Sequence, residues 1–480
     1  MSLIIILILP LLAGALSGAP LTRKVAASAT VISSVVVFAL ALHAALVVAD
    51  GKLMVAIPNW VALDGLSALI LLLVALVGMA AALFSWGYMS QRAYSQQQMR
   101  FYYASYNLFF FSLMAIPILV EPNLVWIAVE LSALFSVLLV SFENTHEALE
   151  AAWKYIVLMF MGAAIALFGF FVLFWAMQTA GGGTYTWESL RAAAPAMPSV
   201  LLMAAFLMIF VGYGIKVGFV PLHTWLPDAH SQAPSPICAM LSGVKTTTAL
   251  YVILRLLPLL PPQRTGIWML FFGLLSVGAA AFLLLRVRDY KRLFAFSTVE
   301  HMGIILTAAG LGVFAGYYGA IVQIVSHSIT KSFCFFASGA VLLAADTREI
   351  ESVRGLIRTS PVAGIALLLG GLAVAGAPPF AVFLSEFSIF KAGLALGQYM
   401  AMTLLALFIA IAFFGILFHI NRMVFGQPAN NPHPSASLPA SCMVTLGVMG
   451  LLVIVLGLYL PTPLHELLRL AAASVGGSAP

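Results

Sequence analysis

The sequence predicts an all-α polytopic membrane protein of about 14 transmembrane helices, with two inverted five-helix repeats, each containing a broken helix. Three observations predict it. Apolar residues make up 63% of the 480 and charged residues only 8%, against about 25% charged in a soluble chain. So few charges cannot cover a water-facing surface. Apolar stretches recur from end to end at the roughly 20-residue length a helix needs to cross a bilayer. Two of them are interrupted by glycine and proline in corresponding places, the usual mark of an inverted-repeat transporter.

The first stretch, Ser2–Ser17, looks like a signal peptide but lacks the basic n-region, so it reads as a first span. Spans two to six follow at Val25–Val48, Leu66–Gly87, Tyr103–Leu119, Leu124–Ser141 and Ala152–Gln178. The seventh, Val200–Pro221, contains the first break. Spans eight to eleven are Pro236–Leu259, Gly266–Leu285, Phe294–Leu311 and Phe314–Leu343. The twelfth, Val362–Lys391, contains the second break at Pro378–Pro379, and Met400–Arg422 and Ala440–Leu460 complete the set. Residues 1–102 therefore carry spans one to three, 103–260 the first repeat, 261–424 the second, and 425–480 the last span with a tail. Five is odd, so the two repeats enter the membrane with opposite orientation.

Basic residues set the orientation. The odd-numbered loops hold Arg23, Lys24, Arg92, Arg100, Arg286, Arg288, Lys291, Arg292, Arg348, Arg354, Arg358 and Arg422. The even loops and tail hold only Lys52, Arg191, Arg255, Arg264 and Arg469. Odd loops then face the cytoplasm and both termini face outside, as in a multi-pass inner (plasma) membrane protein of bacterial or archaeal type. The net charge of +6 is spread over loops and helices and is no nucleic-acid signal. Cys238, Cys334 and Cys442 lie far apart in apolar stretches, with no CxxC or Cys/His cluster, so no iron–sulfur, zinc or other cofactor site is expected in this chain.

Five lysines remain: Lys154, Lys216, Lys245, Lys331 and Lys391 all fall in or at the edge of a span. An ionisable residue at bilayer depth is costly and points to function. Lys154, near a helix start, has snorkelling as an even alternative. Lys216 and Lys391 each accompany a break, whose freed backbone groups need water or polar partners; hydration there would ease a charge on the lysine. Glu130, alone among apolar residues, needs a cation to offset its desolvation, and Lys216 fits. His327 and Lys331 are four apart and share a helix face, and histidine titrates near neutral pH. Glu150 and Lys154 share the same spacing and equally suit an interfacial salt bridge. Lys245 precedes three threonines, whose hydroxyls either support a proton path or bond to the preceding turn. Glu300, His301 and Glu386 are further polar insertions. His223, Asp228 and His230 either gather protons at the cytoplasmic surface or fasten their loop. Asp64 reads as a helix N-terminal residue, and His419 as interfacial.

The strings "WIAVELSALFSVLL", "EAAWKY", "GYGIKVGFVPLHTWLPDAHSQAPSPICAMLSG", "RDYKRLFAFSTVEHMGI", "SHSITKSFCFFASG" and "GAPPFAVFLSEF" resemble the antiporter-like, proton-translocating membrane subunits of complex I and membrane-bound hydrogenases. The likeness runs from about Asp64 to Lys391 and is nearest to hydrogenase-4 component F, of the formate hydrogenlyase type. It implies that Glu130 matches the family's fifth-helix glutamate, Lys216 its seventh-helix lysine, Lys391 its twelfth-helix lysine, and His327 and Lys331 its eleventh-helix polar positions. The family's eighth-helix lysine falls at Thr247 here, with Lys245 about 200° away around a regular helix; Lys245 is then expected to face elsewhere, and the path to run through Thr247. No long amphipathic tail is expected before Pro480, unlike the largest complex I subunit of this kind. The function implied is proton movement along a mid-membrane chain of lysine, glutamate, histidine and water. Other membrane subunits, and through them a cytoplasmic hydrogenase or dehydrogenase arm, would drive it. Those partners would carry iron–sulfur clusters and, in a hydrogenase, nickel–iron. The rivals are a subunit of respiratory NADH:quinone oxidoreductase, a cation/proton antiporter subunit, and a structural scaffold.

Overall fold

The computed structural model describes residues 1–20, 22–427 and 437–476. Continuous apolar sequence becomes helix throughout, because only a helix satisfies its own backbone in hydrocarbon. The first three helices are α1 (Ser2–Gly18), α2 (Arg23–Ala49) and α3 (Gly65–Ser90). A small antiparallel hairpin, β1 (Met54–Ile57) with β2 (Val61–Leu63), links the last two. Next come α4 (Gln96–Ile118), α5 (Pro122–Val140), the long α6 (His146–Thr179) and the short α7 (Trp187–Ala193). The seventh span is split into α8 (Ser199–Val217) and α9 (Trp225–Gln232). The eighth is α10 (Ser235–Met240) and α11 (Thr246–Leu256), joined by a π-helical turn, Leu241–Lys245. Then come α12 (Pro262–Leu284), α13 (Tyr290–Gly310) and α14 (Phe314–Ala345), and a one-turn α15 (Leu356–Thr359). The twelfth span is split into α16 (Pro361–Val374) and α17 (Ala381–Ala395). α18 (Tyr399–Phe425), α19 (Ala440–Leu458) and α20 (Thr462–Gly476) close the chain.

Among the described residues, twelve helices are long and apolar enough to cross a membrane, and α1 and α16 are shorter apolar helices. With α16 and α17 taken as one interrupted span, every expected crossing has its helix. The hairpin, α7 and α20 were not expected. The tail of 425–480 thus holds a helix as well as span fourteen; residues 428–436 and 477–480 of that segment lie outside the described residues. Exposed Trp153 and Trp175 mark the two ends of the lipid-facing side of α6. They stand 22 residues apart, about 33 Å along the helix, which matches a hydrocarbon core of about 30 Å with tryptophans at its edges. α10, α11, α13 and α14 form the buried centre.

Both breaks are built the same way. A left-handed glycine ends the first half-helix: Gly218 has φ +82° and Gly376 φ +77°, a conformation that needs no Cβ. The freed backbone groups find partners. The Val220 amide donates to the Ser276 hydroxyl at 3.0 Å, and the Trp225 indole donates to the Ile215 carbonyl at 2.7 Å. At the second break the Ala377 amide donates to Leu372 O at 3.0 Å.

Candidate functional site

α6 and α8 touch backbone to backbone. A Cβ on either Gly162 or Gly212 would lie 2.5 Å from the other's carbonyl oxygen, so only glycine permits the approach. That contact brings the Lys216 side chain, 1% exposed, against α6. Its Nζ lies 3.0 and 3.1 Å from the two Glu130 carboxylate oxygens and donates to Met159 O at 3.2 Å. Met159 is six residues, about 9 Å, inside Trp153, so the ion pair lies within the hydrocarbon layer.

Lys245 shares this cage, contrary to the regular-helix expectation. The π turn adds a residue to the helical cycle and rotates the helix on its N-terminal side relative to the helix on its C-terminal side. Lys245 is buried, donates to the Tyr155 hydroxyl, and lies 3.7 Å from Met159 Sδ. Its ammonium stands 4.3 Å from the Tyr155 ring centre and 4.9 Å from that of Trp225, a cation–π setting that offsets part of its desolvation. The Tyr155 hydroxyl also bonds Ser136 at 2.6 Å. Thr247 does not replace it: its hydroxyl donates to Gly243 O at 3.1 Å, and those of Thr246 and Thr248 likewise bond back to Ser242 O and Lys245 O, both at 2.8 Å. The three threonines serve their own helix.

A second cluster forms in the other half. Lys331 is fully buried and donates to the Ser297 hydroxyl and, at 3.3 Å, to Phe294 O. His327 and His301 face each other, Nδ1 to Nδ1 at 3.3 Å. The buried Glu300 has one carboxylate oxygen without a partner. Glu386 packs beside the second break, where a Cβ on Gly376 would come within 2.6 Å of its carboxylate.

Two lysines and a histidine depart from the expected line. Lys391 is exposed, four residues before the end of α17, about 6 Å along the helix. The break removes 375–380 from the helix, so the lysine lands at the far end, within snorkelling reach of the surface. Glu386 is the charged residue that this break positions. Lys154 is a half-exposed surface lysine, paired with Glu150 at 2.7 Å and Asp228 at 3.3 Å, while Arg292 holds Asp228 at 2.7 Å. His223 lies half-buried in the loop after the first break, with its Nδ1 unpartnered; the fully buried His230 holds Leu226 O at 2.7 Å.

Sequence reasoning missed three features. Arg255, counted as a loop residue, is mostly buried and grips Asp64, which also caps α3 by accepting from the Ser67 amide at 2.9 Å. Lys291, also counted as a loop residue, is buried and donates to Ser231 O and Ala233 O at 3.0 and 2.6 Å. His419 is buried against Leu284 and Leu285 at the end of α12, a packing its interfacial reading did not state. None has a local signal: each depends on a neighbour distant in sequence.

Residues 123–413 match the family described as NADH:quinone oxidoreductase/Mrp antiporter, transmembrane. The chain belongs to this family. Residues 55–102 match the N-terminal region described for chain 5 of complex I. Among relatives of this antiporter-like family, a hydrogenase-4 component F homolog of Methylacidiphilum infernorum is 37% identical over 414 residues, covering 84% of this chain and 86% of the relative. A Na(+)/H(+) antiporter subunit A1 of Staphylococcus haemolyticus is 29% identical over 445 residues, 86% of this chain but only 54% of that protein; this chain spans about half its length. A subunit of the archaeal membrane-bound sulfane sulfur reductase superposes with a TM-score of 0.88 at 24% identity, over 98% of this chain and 97% of that one. It shares the fold. The resemblance read from the motifs therefore holds, and the chain is a multi-pass, antiporter-like membrane subunit whose relatives include members of multisubunit complexes.

Proposed function

We propose that this chain is a proton-translocating subunit of a redox-driven membrane complex of the hydrogenase or formate hydrogenlyase type. The observation that carries the proposal is the buried Lys216–Glu130 pair, set at a helix break and sharing Met159 with a second buried lysine, Lys245. Two ammonium groups bordering one residue repel strongly at low dielectric. Charging one favours discharge of the other, and Glu130 biases which one holds the proton. The second cluster, Lys331, Glu300 and Glu386, with the His301–His327 pair beside it, continues the path towards the second break. The repeats at 103–260 and 261–424 supply one cluster each. Redox chemistry belongs to partner subunits, which would carry iron–sulfur clusters and nickel–iron in a cytoplasmic arm, with both termini of this chain outside the plasma membrane. The 37% identity to a hydrogenase-4 component F homolog supports the hydrogenase type.

The test is redox-driven acidification of inverted vesicles carrying the intact complex. Lys216→Ala should abolish acidification while the complex stays assembled; full acidification would reject the reading. Mass spectrometry of co-purifying subunits identifies the parent complex: a hydrogenase large subunit supports this type, and NADH dehydrogenase subunits replace it with the complex I type. A cation/proton antiporter is the second reading, favoured by the A1 relative and by Glu300 and Glu386, which are buried without a basic partner in hydrogen-bond contact. Sodium-dependent proton exchange without a redox substrate would select it.

A further inference from the structure

His301 on α13 and His327 on α14 are wholly buried where the two halves meet. Each ring commits one nitrogen to a backbone carbonyl. Nε2 of His327 lies 3.0 Å from Ser242 O, in the π turn of the eighth span. Nε2 of His301 lies 3.0 Å from Val374 O, the last residue of α16 at the second break. A carbonyl oxygen only accepts, so both Nε2 atoms carry hydrogen. In the neutral ring the other nitrogen is then a bare acceptor. The two Nδ1 atoms stand 3.3 Å apart, so two lone pairs face each other in the buried interior. One proton between them replaces that repulsion with an N–H···N hydrogen bond. A second would set two imidazolium ions in contact, which like-charge repulsion forbids at this depth.

The same geometry closes the through-route. A proton leaving by either Nε2 would have to pass to a backbone carbonyl, which does not relay it. The Ser242 oxygen is already shared with the Thr246 hydroxyl at 2.8 Å. We infer that His301 and His327 together store a single proton between their Nδ1 atoms, as a charge reservoir at the junction of the halves and not as an in-line step. The inference rests on the proposed proton path.

The ionisable groups that act on the pair are Lys331 on α14 and His230 on α9; Glu300 adjoins His301 in the chain, and Lys245 lies three residues beyond Ser242 on the π turn. Filling the store forms one N–H bond at Nδ1 as one N–H bond breaks at Lys331, which shares the α14 face of His327, and no electrons move. A filled store is a positive charge that disfavours charge on Lys331 and Lys245. An empty store permits it. The pair thereby couples the proton occupancy of one cluster to that of the other.

Glutamine separates this role from a structural one. In His327→Gln or His301→Gln the amide nitrogen takes the place of Nε2 and keeps the bond to the carbonyl, but no base remains at Nδ1. In vesicles carrying the assembled complex, each single variant should lower redox-driven acidification at least about tenfold. The double variant should do no further harm, because the pair acts as one unit. Wild-type rates in the single variants overturn the store. A second measurement needs no variant. Nitrogen-15 NMR of the histidine-labelled wild-type complex, with the pair assigned by Nδ1–Nδ1 proximity, should show both Nε2 atoms protonated from about pH 5 to about pH 9 and one proton in all taken up by the two Nδ1 atoms. Loss of hydrogen from either Nε2, or uptake of two protons, overturns it. If Lys216→Ala is inactive while the glutamine variants pump, only the store fails; if Lys216→Ala also pumps, the proton path itself fails.

Discussion

A buried charge pair such as Lys216 with Glu130 adds little net stability to a fold. Taking both ions out of water costs several kcal/mol each, and their attraction returns that only with good geometry and further hydrogen bonds. Here Lys216 has two carboxylate oxygens and one carbonyl in reach. Removing one partner strands the other: Lys216→Ala is expected to destabilise the protein by about 3–5 kcal/mol, read as a fall in thermal midpoint of the purified complex. The double variant Lys216→Met, Glu130→Leu replaces both ions with apolar bulk, which is often neutral or stabilising. It should recover the midpoint and still fail to pump. Recovery of pumping with it would show that the ions are not needed. Lys391 supplies the contrast. It is exposed at the end of α17, so Lys391→Ala should leave acidification within about twofold, surface changes being mild. Glu386→Gln should abolish it, because Glu386 is the carboxylate packed on the break. Equal effects of the two substitutions would contradict the placement.

At the scale of the element, the π turn decides where Lys245 points. A regular helix turns by 100° per residue, and deletion of Val244 should restore regular α geometry and swing the residues before the deletion by about that angle against those after it. Lys245 would part from His327 and the Ser242 carbonyl as one frame. The expected result is a folded complex with pumping lost; retained pumping would make the π turn incidental. The sequence offers almost no sign of this turn. "MLSGVKTTT" contains a single glycine and otherwise reads as ordinary helix, so the regular-helix count put Lys245 on the wrong face. The spans and the breaks were readable because hydrophobic length and Gly/Pro punctuation are local signals. Glu130 with Lys216, 86 residues apart, could be paired because both stood alone in apolar surroundings. Asp64 with Arg255, 191 residues apart, could not, because each sat where an unpaired charge is ordinary. The position of Lys391 was misjudged for a related reason: its depth depends on how many residues the break removes from the helix, which composition does not state.

On the scale of the whole molecule, charge is sorted by face. The loop at Arg286–Arg292, the Asp228 cluster with Lys154 and Arg292, and Arg348 gather at one end, where Arg348 reaches Ser231 O at 2.7 Å. The hairpin, Asp64 and Arg255 occupy the other. Positive loops are retained in the cytoplasm, so the first end should be cytoplasmic. The three native cysteines are all buried, so a cysteine introduced at an exposed site reports its side without interference. Arg288 and Lys52 are exposed at opposite ends. In right-side-out membranes, Lys52→Cys should react with a membrane-impermeant maleimide and Arg288→Cys should react only after permeabilisation. The opposite pattern would invert the topology, and with it the side from which the Lys216 cluster, about 9 Å beneath Trp153, takes up its proton. If the first end is cytoplasmic, the Lys216 cluster lies nearer the cytoplasmic face, and the labelling pattern decides from which side the proposed path would be entered at Lys216.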